Sequence, residues 1–309
     1  MSKNEIETET SQESGVETAL RSQREAWKEV SEATLTITNR ELPNERPKRI
    51  LLFGVGSSFY AAKLTAYTLI RDKVRERVPV VACSSMVIGT EVIPTKGDWA
   101  FAFSHRGKTA ATRKALEICE RAGAFTVLVA AKGVEQSEFV RFMLPTVELE
   151  KVEPHTVSLT TAVCAVTTLL IGAKAAEEWE ALRSIGDPGL DTVRARAGQG
   201  PTLLIGEWEG EWLAREGALK LMEMARVPVR AFGSEEFYHG PHFSRVDEDR
   251  IWYVNHPKDA RSSETWLGEA ERKVEMFGAS PLAWVPALIE LQWLSLAVAL
   301  NRGINPDAK

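Results

Sequence analysis

Glu216, Lys220 and Glu223 fall at i, i+4 and i+7 in the run Glu-Gly-Ala-Leu-Lys-Leu-Met-Glu. That spacing puts all three side chains on one face of a helix. The run consists of strong helix formers. Ala218, Leu221, Met222 and Ala225 repeat at helical spacing and make an apolar face that reads as lying opposite. On periodicity alone the charged face is a solvated one carrying a Glu-to-Lys pair. Downstream, Ser-Glu-Glu-Phe-Tyr-His-Gly-Pro (234–241) sets His239 just ahead of a Gly-Pro turn that neither a helix nor a central strand can continue. Two carboxylates, a lysine and a histidine in one region are the groups needed to move protons on a small substrate.

The chain around them sets limits. At 309 residues and 44% hydrophobic content it can bury a large core and divide into two domains. A net charge of −5 gives no nucleic-acid footprint. Cys83, Cys119 and Cys164 stand singly, with neither a metal spacing nor a disulfide framework, so a reducing cytoplasm fits best. The five histidines show no ligand spacing, and neither a metal nor a cofactor is expected. No signal peptide is recognisable, and no uncharged apolar run reaches about 18 residues, so no membrane association is expected.

The elements that must position the charged residues can be read in order. Residues 1–15 read as a tail, and 16–39 as a helix. Arg49–Phe53 is a buried strand, and Gly54-Val55-Gly56-Ser57-Ser58 turns from it into a helix. Strand, glycine turn and helix start form a geometry that cradles an anion on backbone N–H groups. Strands are predicted at 78–83, 99–103, 125–130 and 144–149, with helices between them, one over 109–122. Such alternation predicts a parallel sheet covered on both faces. Ser104-His105-Arg106-Gly107-Lys108-Thr109 follows the third strand, at the sheet edge where open α/β folds place ligands. An apolar helix over 162–175 and a connection over 183–199 come next. Then Thr202–Ile205 runs into Gly206-Glu207-Trp208-Glu209-Gly210 and the helix of Glu216, echoing the first strand and its turn. This echo reads as an internal duplication. The second copy has acids where the first has hydroxyls, which assigns phosphate binding to the first half and proton chemistry to the second. Further strands are predicted at 250–254 and 280–285, and a last apolar helix at 286–301.

The stretches Glu216–Glu223 and Glu236–Pro241 resemble the double sugar-isomerase (SIS) family, to which the isomerase domain of glucosamine-6-phosphate synthase belongs. The resemblance extends from about Ile50 to Asp307. It implies an α/β fold of two SIS subdomains, each a flavodoxin-like parallel sheet flanked by helices in three layers. The division expected is residues 1–44 as tail and helix, 45–185 as the first SIS domain and 186–309 as the second. Ser104, Gly107 and Thr109 match the family's Ser-x-Ser-Gly-Glu-Thr phosphate loop, while Arg106 and Lys108 depart from it. The two charges are either solvated, or they make a more cationic pocket in which arginine grips a phosphate. The family's Glu-x-x-x-x-Ser-Thr-Lys segment corresponds to Glu153 and Ser158, without the Thr-Lys, and Thr156 is expected to face the sugar. Ser158 or Thr160 as a plain helix N-cap is the alternative.

Carried over in this way, the resemblance implies that a sugar phosphate docks on Ser58, Ser104, His105, Arg106, Gly107, Thr109, Thr156 and Ser158. His239 would open the ring. Glu223, with a pKa raised towards neutrality, would carry a proton between C1 and C2. Lys220 would stabilise the developing oxyanion, held by Glu216. A homodimer is expected, with His239 entering the partner's site. Against the family pattern, no glutaminase domain, no cysteine nucleophile directly following Met1 and no counterpart of the lysine that the family's tail brings to the sugar are recognised; Lys309 comes too early. The expectation is therefore a stand-alone aldose–ketose isomerase, aminosugar-phosphate deaminase or deglycase. The alternatives are a non-catalytic sugar-phosphate sensor and a pocket turned to another anion.

Overall fold

The computed structural model describes residues 13–37, 42–258, 270–276 and 278–308. Two fully parallel sheets organise it, each built from short apolar strands. The first contains β1 (Arg49–Gly54), β2 (Val80–Ser84), β3 (Asp98–Phe103), β4 (Phe125–Ala130) and β5 (Phe142–Pro145), in the order β2-β1-β3-β4-β5. The second contains β6 (Leu203–Gly206), β7 (Arg230–Gly233), β8 (Ile251–Asn255) and β9 (Arg272–Glu275), in the order β7-β6-β8-β9. The second order repeats the first without its fifth strand. Near-continuous burial of β1, β3, β4, β6 and β8 is what covering both faces of a parallel sheet demands.

Helices supply the cover: α1 (Gly15–Leu35), α2 (Ser57–Arg71), α3 (Ala110–Arg121), α4 (Val157–Ile171), α5 (Ala173–Leu182), α6 (Leu190–Ala197), α7 (Glu209–Ala225), α8 (Ser234–Tyr238) and α9 (Val285–Asn301). Helices α4 and α9 are apolar all round and buried nearly throughout, as such helices must be. Helix α4 packs on α1 and α2, and α9 packs on α6 and α7. Helix α1 joins the halves: Trp27 Nε1 donates to Thr160 Oγ1 of α4 at 2.9 Å, and Gln23 Nε2 to Gln292 Oε1 of α9 at 2.9 Å. Its N-terminus is capped by the carboxylate of Asp307, which accepts from the amides of Gly15 and Val16 at 2.6 and 2.9 Å. Gly15 is thus an anchored helix start; residues 1–12 of the expected tail, together with Asn39 and Lys309, lie outside the described residues.

The duplication is visible in the backbone. Gly54 and Gly206 each end the first strand of a half so close to the following helix that a Cβ would sit 2.5 Å from Ser58 or 2.3 Å from Gly210. Gly56 (φ 60°, ψ −134°) and Trp208 (φ 56°, ψ −125°) then precede α2 and α7 in one and the same conformation. Glycine adopts it freely; tryptophan does so under strain.

Several boundaries differ from the sequence reading. Residues 280–284 form a bend and turns, Val285 opens α9, and the strand lies earlier, at β9. The connection over 183–199 contains α6. Strand β7 has only four residues and no apolar alternation, so its pattern gave no signal. Helix α4 starts at Val157 because its first amides are capped from outside its own sequence, by the residue described next.

Candidate active site

Strand β1 delivers the Gly54–Ser58 turn to the sheet edge at the β1/β3 crossing, where the chain reverses its direction of winding. Ser57 and Ser58 open α2 there, and Ser104 and His105 follow β3. With Ser158 and His155 at the start of α4, and Thr146 just past β5, they line a small cleft of about 40 Å³. Arg106, Gly107, Thr109 and Thr156 do not line it. Arg106 turns outward to an exposed ion pair with Glu153 at 3.0 Å, so the cationic pocket expected from it is not formed. Gly107 (φ 65°) makes the turn, and a Cβ there would meet Val134 at 2.6 Å. Thr109 is exposed and accepts from Ser104 Oγ at 3.4 Å, steadying that hydroxyl.

Thr156 is fully buried beneath Glu150. The Glu150 carboxylate accepts from the amides of Thr156, Val157 and Ser158 at 3.0, 3.2 and 2.9 Å. It is therefore Glu150, not Glu153, Ser158 or Thr160, that caps α4, where the helix end attracts negative charge. Thr160 is instead held among Trp27, Gln23 and the Val157 carbonyl. Sequence reading missed Glu150 because it lies six residues before the helix cap, at the end of a supposed strand. It also passed over Ser57 and His155, although both stood inside the stretches it quoted.

Helix α7 corrects the periodicity argument. Glu216 and Lys220 are 0% and 1% exposed, whereas Met222, assigned to the apolar face, is exposed. The helix lies between β6, α2 and α9, so two of its faces are covered, and the charged face is an interior one. There Lys220 Nζ lies 2.5 Å from Glu223 Oε2 and 3.4 Å from Glu216 Oε1. Ser57 Oγ donates to the same Glu216 oxygen at 3.2 Å, connecting the triad to the cleft. Glu216 Oε2 is buried without a hydrogen-bond partner. Burial pushes the Glu216 carboxyl up to about 7 against the pull of Lys220. The sequence reading names Glu223 as the carboxyl to be raised; the one that burial raises is Glu216. Burial alone would lower the Lys220 ammonium, but the charges of Glu216 and Glu223 outweigh it and hold it above its ordinary value. A protonated Glu216 leaves a neutral Lys220–Glu223 pair, the form in which such a cluster can be buried at tolerable cost. The Glu223 side chain, 32% exposed, is the member that solvent or a substrate can reach.

His239 lies apart. It follows α8, its side chain is 72% exposed, and its Nε2 is 3.4 Å from Glu235 Oε2. The acids of the duplicated turn are engaged structurally: Glu209 is buried against Arg71 and His256, and Glu207 accepts from Ser234 Oγ and the Glu235 amide at the start of α8. Among the described residues no cluster of His, Cys, Asp and Glu could hold a metal, and no helix is long and apolar enough to cross a membrane.

No protein-family model matches the chain. It is 25% identical over 307 residues to glutamine–fructose-6-phosphate aminotransferase (isomerizing) of Pyrobaculum aerophilum, a match covering 84% of this chain and 50% of that protein. The chain thus spans about half the length of this curated relative. The C-terminal domain of glucosamine-fructose-6-phosphate aminotransferase from Francisella tularensis superposes with a TM-score of 0.79 at 20% identity, over 98% of this chain and 100% of that one. Glucosamine-6-phosphate deaminase from Thermotoga maritima superposes with a TM-score of 0.70 at 18% identity, over 95% and 97%. The chain is therefore a homologue of the isomerase domain of glutamine–fructose-6-phosphate aminotransferase, with the two-sheet sugar-isomerase fold of the phosphosugar isomerases.

Proposed function

We propose that the protein is an enzyme that moves a proton between C1 and C2 of a hexose 6-phosphate or amino-sugar phosphate, as an aldose–ketose isomerase or aminosugar-phosphate deaminase. The observation that carries this reading is the buried Glu216–Lys220–Glu223 triad, joined through Ser57 to a hydroxyl-lined cleft. A protein that only sensed a sugar phosphate would have no need of a buried ammonium between two carboxylates, one of them raised to about 7. In this reading the phosphate sits among Ser58, Ser104 and Ser158. Glu223 is the base, Lys220 balances the charge growing on the enediolate oxygens, and Glu216 buffers the relay with its shared proton. His239 opens the ring from a second subunit. Its exposure supports this, as do the exposed Phe243 and Val246 beside it, since such an apolar surface suits a partner. A cytoplasmic setting fits a substrate of this kind.

Proton NMR in D₂O with fructose 6-phosphate, and separately with glucosamine 6-phosphate, tests the reading. Deuterium should enter at C1 or C2 and fail to do so in Glu223→Gln, and ammonium release would single out the deaminase. Binding without exchange would make the protein a sensor instead.

A further inference from the structure

A second cavity, of about 200 Å³, lies where α1 meets the connection between α5 and α6 and the start of α9. None of its lining residues lines the cleft of Ser57, Ser58, Ser104 and Ser158. Trp27, Leu182, Ile185, Val285 and Ile289 make its apolar walls, and Arg24 and Arg196 stand among them. Trp27, Val285 and Ile289 are buried, whereas Ile185 is 42% exposed, an apolar side chain left in water. Arg24 precedes Trp27 by three residues, so guanidinium and indole share one side of α1. Each arginine already has one carboxylate: Arg24 Nη1 bonds Asp187, and Arg196 Nη2 lies 2.5 Å from Glu290. The opposite edge of Arg24 is different. Its Nε–H is buried without a partner, and its Nη2 meets no acceptor among the described residues.

We propose that this cavity binds a small apolar monocarboxylic acid, with its hydrocarbon body against Trp27 and Ile289 and its carboxylate on the Nε–Nη2 edge of Arg24. That edge is the one with which arginine grips a carboxylate through two parallel hydrogen bonds. A buried N–H without an acceptor is costly, and the ligand's carboxylate supplies the missing one. Size sets the body: a dry cavity of about 150 Å³ holds benzene, so this one holds a six-membered ring and a short acid arm. Charge sets the head. Asp187 and Glu290 stand beside the cavity and oppose a dianion, while one free guanidinium edge matches a single carboxylate. The apolar walls give sugar hydroxyls nothing to bond, so the site is independent of the sugar-phosphate reading above. A ligand here touches α1, the connection over 183–189 and α9, elements drawn from both halves of the chain. Occupancy should therefore stabilise the fold by mass action.

Titration of the full chain with phenylacetate, and separately with its uncharged isostere phenylacetamide, tests the site. The indole ¹H–¹⁵N signal of Trp27 serves as the local reporter, since that N–H is fixed on Thr160. Trp27→Phe assigns it. Phenylacetate should shift the Trp27 signal, raise Tm and bind about tenfold more tightly than the amide. Arg24→Gln should erase the preference for the acid, and Ile289→Trp should fill the cavity and abolish binding of both. If either variant fails to fold, the wild-type comparison of acid with amide still decides. Fructose 6-phosphate should not displace phenylacetate, because cavity and cleft share no residue. No binding of phenylacetate at millimolar concentration overturns the site. Equal binding of acid and amide overturns the grip of Arg24. Binding that leaves the Trp27 signal unmoved, or that fructose 6-phosphate displaces, overturns the placement.

Discussion

Glu216 holds its proton more tightly in the folded protein, near pH 7, than in the unfolded chain, near 4.5. A carboxyl raised in this way contributes stability that is fully present below the unfolded value and is lost as the pH climbs through the folded one. Wild-type protein should therefore lose stability relative to Glu216→Gln between pH 5 and 8, by at most about 3 kcal/mol. Urea melts of both at the two pH values measure this, and parallel pH slopes would remove Glu216 as the group responsible. Glu223→Gln should keep the fold, because that side chain is partly solvated, yet cut solvent exchange at C1 and C2 by about 10²–10⁴-fold. The types and spacing of Glu216, Lys220, Glu223 and His239 were legible in the chain. Their environments were not: a three-and-four repeat defines a face of a helix but not what lies against it. Only the packing of α7 on α2 and α9 turned a face that read as solvated into a buried charged triad.

At the scale of elements, capping and turn geometry decide what the strands deliver. Glu150→Ala should leave three amides of α4 without an acceptor and cost about 1–2 kcal/mol. The loss should exceed that of Glu153→Ala, whose ion pair with Arg106 is exposed. Thermal melts of the two variants check the order, and an equal loss would deny Glu150 its capping role. Trp208 occupies a backbone conformation that its counterpart Gly56 takes without strain. Its ring is half exposed, so Trp208→Gly should stabilise the fold by about 1 kcal/mol, read as a raised Tm; a lowered Tm would mean that the ring's packing on His256 outweighs the backbone strain. Strands β1, β3, β4, β6 and β8 were readable because full burial writes an unbroken apolar run. The short β7, and the strand misplaced to 280–285, were not, because four residues contain too little pattern to outvote their neighbours.

At the scale of the molecule, the triad belongs to α7 and His239 follows α8 without bonding to it, and the proposed chemistry needs two copies. Light scattering should report a dimer. Mixing Glu223→Gln with His239→Asn subunits under exchange conditions should restore about a quarter of wild-type activity, since half the dimers then carry one intact site. Failure of two stable dimers to complement after proven exchange would keep His239 within its own subunit's chemistry or outside it altogether. By itself the sequence determined the parallel α/β character, the duplicated strand–turn–helix unit and the group of residues able to move protons. Each of these is written in local spacing, which the chain contains from end to end. The tertiary structure decided which hydroxyls line the cleft, that Arg106 faces away from it, that Glu150 rather than Glu153 secures α4, and that Glu216 holds its proton near neutrality. These depend on contacts between residues far apart in the chain and on the loss of water around a charge, and neither leaves a local trace in the order of amino acids.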